Sequence, residues 1–349
     1  MTFDISKKRI VLVGGAGFIG HNLALTFARL GSEVIIIDGL QVNNFLNYLN
    51  FTEKNPNHEI YIKILNQRLH LLSKTDTRLI TQDCRDYNAL QRLIEDIKPD
   101  IIIHLAAVAH ANKSNRDPFS TFDHSLRTLE NALDCARDHC EHFIFFSSSM
   151  VYGNFEKGFV TEDTNCEPMG IYGALKFGGE KLVIAYNQVF GLDYTIIRPS
   201  ALYGERCVSR RVGQIFIENA IQGSAITVNG SGDDRLDFTY IDDLVQGVIK
   251  VIENKNSRNQ IFNLTYGESR SLNEILNILE HHVSTVNVQY LPKENLMPDR
   301  GTLSVDKAKR LIGYDPQYPL EKGFEKYIQW YKDIFISDSE LKDKLDFLN

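Results

Sequence analysis

Residues 8–31 read KRIVLVGGAGFIGHNLALTFARLG. An apolar run meets Gly14, Gly17 and Gly20, and these open a segment with helical apolar spacing. Consecutive apolar positions predict a strand buried on both faces, then a tight turn, then a helix. Glycines let the backbone approach a bound group closely, and a helix N-terminus offers unpaired N–H groups to an anion. The spacing alone is a weak signal, but its context strengthens it. The next apolar run, SEVIIIDGL, ends in Asp38, 18 residues after Gly20. A carboxylate at that strand end receives the two ribose hydroxyls of NAD and repels the extra phosphate of NADP. The predicted cofactor is therefore NAD, held by Gly14, Gly17, Phe18, Ile19, Gly20 and Asp38.

Outward from this unit, strand and helix patterns alternate. Residues 60–75 read as helix, RLITQD as a third strand, 86–97 as helix and PDIIIHLAA as a fourth strand. A long helix is predicted over 118–139, then a fifth strand in EHFIFFSSSMVYG, a helix from Tyr172 to about 190, and a sixth strand in DYTIIRPS. The fold class is α/β, a Rossmann-type doubly wound parallel sheet covered by helices on both faces. After about residue 200 the rhythm changes, with helices near 211–222, 271–282 and 318–333 joined by short strands and loops. The expected organisation is an NAD-binding domain over 1–200, with a return segment near 235–260. A smaller mixed α/β substrate domain occupies 201–349, with no flexible spacer between the two. Residues 39–59 are long for a strand–helix connection and read as a surface insertion or as part of the cofactor rim. At the end of the third strand, Asp83 is a candidate adenine contact or a turn residue, with Cys84 beside it. Ala106 and Ala107, after the fourth strand, are small enough for the cofactor to pass close by, or serve core packing.

Composition bounds the function. The chain has 349 residues, 43% hydrophobic and 24% charged, with a net charge of −7. Such a balance suits a globular protein and carries no nucleic-acid footprint. Cys84, Cys135, Cys140, Cys166 and Cys207 lack zinc spacing, so no metal is expected, and their odd number makes a poor disulfide framework. Cys135 and Cys140 are expected as buried thiols of one helix. The start of the chain shows no secretory leader and no apolar run reaches membrane length, so a reducing cytoplasm is the expected location.

The stretch IYGALKF, residues 171–177, places Tyr172 and Lys176 four apart on one helix face. A phenol has a pKa of about 10 and is a poor base at neutral pH. A nearby ammonium favours the phenolate, as does a positively charged nicotinamide. Tyr172 is then able to take a proton from a sugar hydroxyl while hydride leaves to NAD. FFSSSMVYG supplies serines at the carboxyl end of the fifth strand, where doubly wound sheets bind ligands.

Together, VGGAGFIG, HLAA, SSSMVYG, YGALK, RPSALYGER, RRVGQIFIENAI, LDFTYIDDL and DKAKRLIGYDP resemble an extended short-chain dehydrogenase/reductase of the nucleotide-sugar epimerase and dehydratase group. The likeness runs over roughly residues 8–335. It implies Ser148, Tyr172 and Lys176 as the catalytic set, with Lys176 also binding the nicotinamide ribose and Pro199 following a cofactor-contacting segment. It implies a nucleotide-sugar substrate, a role in polysaccharide-precursor synthesis, and a homodimer paired through two long helices per subunit, here about 118–139 and 172–190.

Hydride removal from C4 of the sugar is the shared first step of the group, and neighbouring residues decide the second. Dehydratases of this resemblance carry an Asp-Glu pair after the catalytic Thr, decarboxylases usually keep the glutamate, and carbanion epimerases place a cysteine at the second position. This chain has Ser149 and Met150 there. A 4-epimerase needs no further acid or base, and it is the predicted activity, with a UDP-sugar as substrate. The alternatives are a lyase, a net NAD-dependent dehydrogenase/reductase, or an NAD-binding protein without catalysis. Three departures from the resembled pattern bear on the substrate. Ala201 stands for a substrate-contacting Asn, HSLRT puts His124 and Arg127 at the Asn and Gly positions of a helical motif, and RLDF shifts Arg235 by one. Arg206, Arg210, Arg211, Arg235 and Arg300 are candidate partners for the diphosphate. Arg211, Arg235 and Arg300 are the expected set, and Ser148, Ser149, Met150 and Tyr172 are the expected sugar contacts.

Overall fold

The computed structural model describes residues 3–48, 57–283, 286–293 and 298–346. Seven strands form its central sheet. In chain order they are β1 (Arg9–Val13), β2 (Glu33–Asp38), β3 (Arg78–Thr81), β4 (Ile101–His104), β5 (His142–Phe146), β6 (Tyr194–Arg198) and β7 (Gln260–Asn263). Every pairing is parallel, in the spatial order 3-2-1-4-5-6-7. The order reverses between β1 and β4, and a crevice opens there at the strands' carboxyl ends.

Alternation along the strands divides the core. Ile10, Leu12, Ile36, Ile103, Ile144, Phe146 and Ile197 pack on one face with the helices Phe18–Arg29 and Ile241–Glu253. Val11, Val13, Ile35, Ile37, Ile102, Phe143, Phe145 and Ile196 pack on the other, with Tyr87–Ile97, Thr128–Ala136 and Gly170–Phe190. Each such side chain contributes about 1.5–3 kcal/mol on burial, so unbroken apolar runs hold both layers. Beyond residue 200 the chain adds the helices Val212–Ile221, Leu272–His282 and Leu320–Asp346. Between them it returns to the sheet through Ile241–Glu253 and β7, so the return extends past residue 260 to Asn263.

Two expected elements differ. The predicted helix 118–139 ends at Ala136 and is interrupted by a wider π turn over Asp123–Arg127, preceded by Pro118–Phe122. Asp117 caps its start, accepting from Ser120 N–H with Pro118 in the first turn. A separate short helix, Ala111–Arg116, precedes it. Cys135 is buried within the helix, but Cys140 lies beyond its end and is only partly buried. Of the stretch 39–59, residues 49–56 lie outside the described residues. Its first part forms the rim of the crevice: Gln41, Val42 and Asn43 line it, and Asn44 Nδ2 donates to Ala16 O at 3.1 Å.

Candidate active site

The crevice is a cavity of about 460 Å³. Its floor is the turn after β1. Gly14 has φ +76° and lies so close to β4 that a Cβ would stand 2.5 Å from Ala106 Cα. At Gly20 a Cβ would meet Gly15 O at 2.2 Å. These two glycines are required for packing the turn itself. Gly17 differs: the nearest atom to a Cβ there is 3.7 Å away, so open space lies over the first turn of the helix. No side chain caps that helix, so its first N–H groups are available to a phosphate. Asp38, at the end of β2, accepts from Ala16 N–H at 2.9 Å and Leu40 N–H at 2.7 Å. Burial raises its pKa, and these two hydrogen bonds oppose the rise. Such a floor fits a dinucleotide: a pyrophosphate over Gly17, a ribose at Asp38, and Phe18, Ile19, Ala106 and Ala107 along the wall.

Asp83 and Cys84 also line this end. Asp83 is paired with Arg85 at 2.6 Å and accepts from Gln41 Nε2 at 3.1 Å. The Arg85 hydrogen bonds hold its carboxyl down at about 2. Arg85 bridges on to Asp123 at 2.9 Å. His124 lines the cavity in the π turn, with Nε2 3.0 Å from Gln41 Oε1 and Nδ1 2.9 Å from Ser120 O. Its ring thus links the Gln41 rim of the cavity to its own helical turn.

The three serines after β5 have three different surroundings. Ser147 Oγ donates to Glu180 at 2.5 Å, and Glu180 forms a buried bidentate pair with Arg198 at 2.9 and 2.7 Å. Ser149 Oγ accepts from Arg300. Ser148 caps the following turn, accepting from Met150 N–H at 3.2 Å, and lines the cavity beside Tyr172 and Lys176. All three line the cavity, and Ser148 is the one whose Oγ meets neither Glu180 nor Arg300.

Tyr172 and Lys176 lie in the first turns of Gly170–Phe190, which sits tightly on the serine turn; a Cβ at Gly173 would meet Met150 O at 2.9 Å. Lys176 is buried, and its ammonium donates to Phe146 O at 2.6 Å. Burial pushes its pKa down to about 8, with the Glu180 carboxylate opposing. Beneath it, His104 at the end of β4 is completely buried; burial and then the Lys176 charge push it down to about 3, so it is neutral.

Of the expected arginines, Arg211 and Arg300 line the cavity and Arg235 does not. Arg235 lies on the short strand Arg235–Asp237, donates to Ser269 O at 2.5 Å and reaches Glu274 at 3.5 Å. Among the other candidates, Arg210 lines the cavity. Arg206 turns back to His21 Nε2 at 3.1 Å and Asn22 Oδ1 at 3.1 Å. Ala201 lines it at φ +35°, a backbone region that Asn adopts more easily than Ala. Gln41, His110, Ser200 and Phe238 line the cavity as well and were not among the expected site residues. Ser200 and His110 were within reach of reading, because they lie just after Pro199 and the Ala106–Ala107 segment. Among the described residues no group of three metal-ligating side chains comes together, and no helix is long and apolar enough to cross a membrane.

The cavity's floor fits a dinucleotide, and Ser148, Tyr172 and Lys176 line its other end, the arrangement of an enzyme that uses a nicotinamide cofactor. The chain belongs to the NAD dependent epimerase/dehydratase family, whose model matches residues 10–265. It is 28% identical over 330 residues to an uncharacterized UDP-glucose epimerase of Bacillus subtilis, covering 94% of this chain and 99% of that one. It is 30% identical over 333 residues to UDP-glucuronic acid decarboxylase 1 of Danio rerio, covering 93% and 73%. The crystal structure of UDP-glucuronic acid 4-epimerase from Bacillus cereus, in complex with UDP-glucuronic acid and NAD, matches with a TM-score of 0.84 at 25% identity, covering 93% of this chain and 99% of that one. The expected family, fold class, NAD dependence and enzyme class are borne out.

Proposed function

We propose that the protein interconverts C4 epimers of a UDP-linked sugar through a 4-keto intermediate. One observation supports this reading most. Among the described residues, the carboxylates lining the cavity are Asp38 and Asp83, both at the cofactor's adenosine end. Beside Ser148 and Tyr172 stand Ser149, Met150 and Arg300. Nothing there is suited to protonate a leaving hydroxyl or to abstract the C5 proton, so chemistry stops at C4.

NAD, which the Gly17 turn and Asp38 would hold, would supply the acceptor and donor of hydride for C4. Ser148 Oγ holds the C4 hydroxyl and Tyr172 takes its proton as base, then gives it back as acid. The Lys176 ammonium, one helical turn away on the same helix, would hold the nicotinamide ribose. Inversion needs only that the keto sugar present its other face before hydride returns.

The label at C4 tests this. A UDP-sugar deuterated at C4 keeps its deuterium in the epimerised product. Deuterium entering C5 from heavy water, or a product lighter by water or carbon dioxide, contradicts the reading.

We assign the enzyme to polysaccharide-precursor synthesis, by resemblance, and to a reducing cytoplasm, in keeping with its five free cysteines. We assign it a homodimeric state. Phe119 and Phe122 on one expected pairing helix and Val189 and Phe190 on the other are exposed, Phe119 by 85%. Light scattering on the purified protein checks the dimer.

A further inference from the structure

Two corners of the cavity carry guanidinium groups without an acidic partner among the described residues, and they lie on different elements. At one corner Arg211 stands just before the helix Val212–Ile221, and among the described residues its buried Nε has no acceptor. His110 is near it, with a buried Nδ1 that also lacks a partner. Burial and then the Arg211 charge lower the pKa of His110. This corner suits a diphosphate.

Arg300 stands at the other corner. Its backbone is held on both sides. Asp299 O accepts from Phe155 N–H at 2.8 Å, and Thr302–Leu303 pairs in parallel with Phe159–Val160. A Cβ at Gly301 would meet Gly158 O at 2.0 Å. The guanidinium lies over the Phe155 ring at 5.5 Å, touches Met150 Sδ at 2.8 Å, and donates to Ser149 Oγ and, at 3.3 Å, to Ser200 Oγ. Its buried Nε has no acceptor, and among the described residues no carboxylate lies within ion-pair distance. Asp237, whose charge it feels, is already bound by Thr265, Gly267 and Leu303. Burial lowers the pKa of Arg300 to about 10, with Tyr172 and then Asp237 opposing.

The sugar decides which anion fits. C4 lies at Ser148 and Tyr172, which act on its hydroxyl. In a pyranose, C6 hangs from C5, the neighbour of C4, whereas the diphosphate leaves from C1 across the ring. Arg300 is bound to Ser149, the residue next to Ser148, so it faces the C4 side and not the diphosphate. We infer that Arg300 is a specificity-determining residue that binds a carboxylate at C6, and that the substrate is a nucleotide uronic acid. This rests on the 4-epimerase reading only in placing C4 at Ser148 and Tyr172.

Binding separates the two claims. Calorimetry on the NAD-loaded protein with UDP, UDP-glucose and UDP-glucuronic acid is expected to show the uronate bound about tenfold or more tightly than the hexose. In Arg300→Gln the uronate weakens about ten- to a hundredfold, as for a lost charged hydrogen bond, and UDP stays within about twofold. Arg300→Lys keeps the charge without the fork and falls between. No uronate preference in the wild type overturns the inference, whatever the variants do. Equal weakening of all three ligands in a folded, NAD-retaining variant also overturns it and makes Arg300 a diphosphate residue. A protein that binds the uronate preferentially but does not epimerise it keeps the inference and loses the 4-epimerase reading.

Discussion

Ala16 and Asp38, joined by a hydrogen bond on the cavity floor, are 22 residues apart in the chain, whereas Arg300 and Ser149, joined at its far end, are 151 apart. The floor is one strand–turn–helix–strand unit, and its contacts arise from local geometry. The far end is assembled from the turn after β5, the loop after β6 and the loop before Thr302–Leu303. Arg300 and Arg235 show what this costs a reader of the sequence. Both stand in the second half of the chain near family-like motifs. One enters the cavity, and the other is taken by Ser269 and Glu274 on the short strand pair Arg235–Asp237 and Ser269–Ser271.

Breaking the chemistry should have the largest effect. Tyr172→Phe is expected to lower kcat by about a hundredfold to ten thousandfold, as for loss of a general base, while the protein still purifies with NAD. A variant that turns over normally, or that loses the cofactor with the activity, removes Tyr172 from the role of base. Breaking the floor should cost selectivity. Asp38→Asn, which keeps an acceptor for one of the two N–H donors, is expected to reduce the preference for NAD over NADP about ten- to a hundredfold. Fluorescence titration of the apo-protein with both cofactors reads this ratio.

A pH profile sharpens the link between floor and far end. Lys176 has its pKa lowered to about 8 by burial, so its charged form is lost as pH rises through that value. Its hold on a nicotinamide ribose should weaken with it. Turnover is expected to fall about fivefold between pH 8 and 9, following single-proton titration. A flat profile over that range dissociates the lysine's charge from the rate. The smallest effect belongs to Arg235→Ala. Its ion pair is half-exposed, and such pairs contribute about 0–1 kcal/mol, so thermal unfolding should shift by a few degrees at most and UDP-sugar affinity by less than about twofold. A larger loss of affinity, measured beside Arg300→Gln, would erase the distinction between the two arginines.

Much of this was legible in the sequence because apolar runs and glycine spacing are local properties. The six strands read from the sequence are all present, as are the glycine turn and the Tyr172–Lys176 helix face. The π turn at Asp123–Arg127 was not legible, since one widened turn leaves the apolar pattern of a helix almost unchanged. β7 escaped as well: Gln260–Asn263 is short, and its place beside β6 depends on the return through Ile241–Glu253. At the site, the sequence offered three adjacent serines and no means of separating their roles. All three line the cavity, and the structure separates them by partners: Glu180 for Ser147, Arg300 for Ser149 and the Met150 N–H for Ser148. Side-chain partnerships between distant segments were beyond reach, and Arg300 is the clearest case.

The most direct test of the account is proton NMR of the purified protein with UDP-glucuronic acid, UDP-glucose and UDP-N-acetylglucosamine, without added NAD. The account predicts that the anomeric signal of the uronate is converted to that of its C4 epimer until the two reach equilibrium, with mass conserved and no cofactor consumed. A keto sugar or pentose that accumulates, or turnover only with stoichiometric NAD, would contradict it.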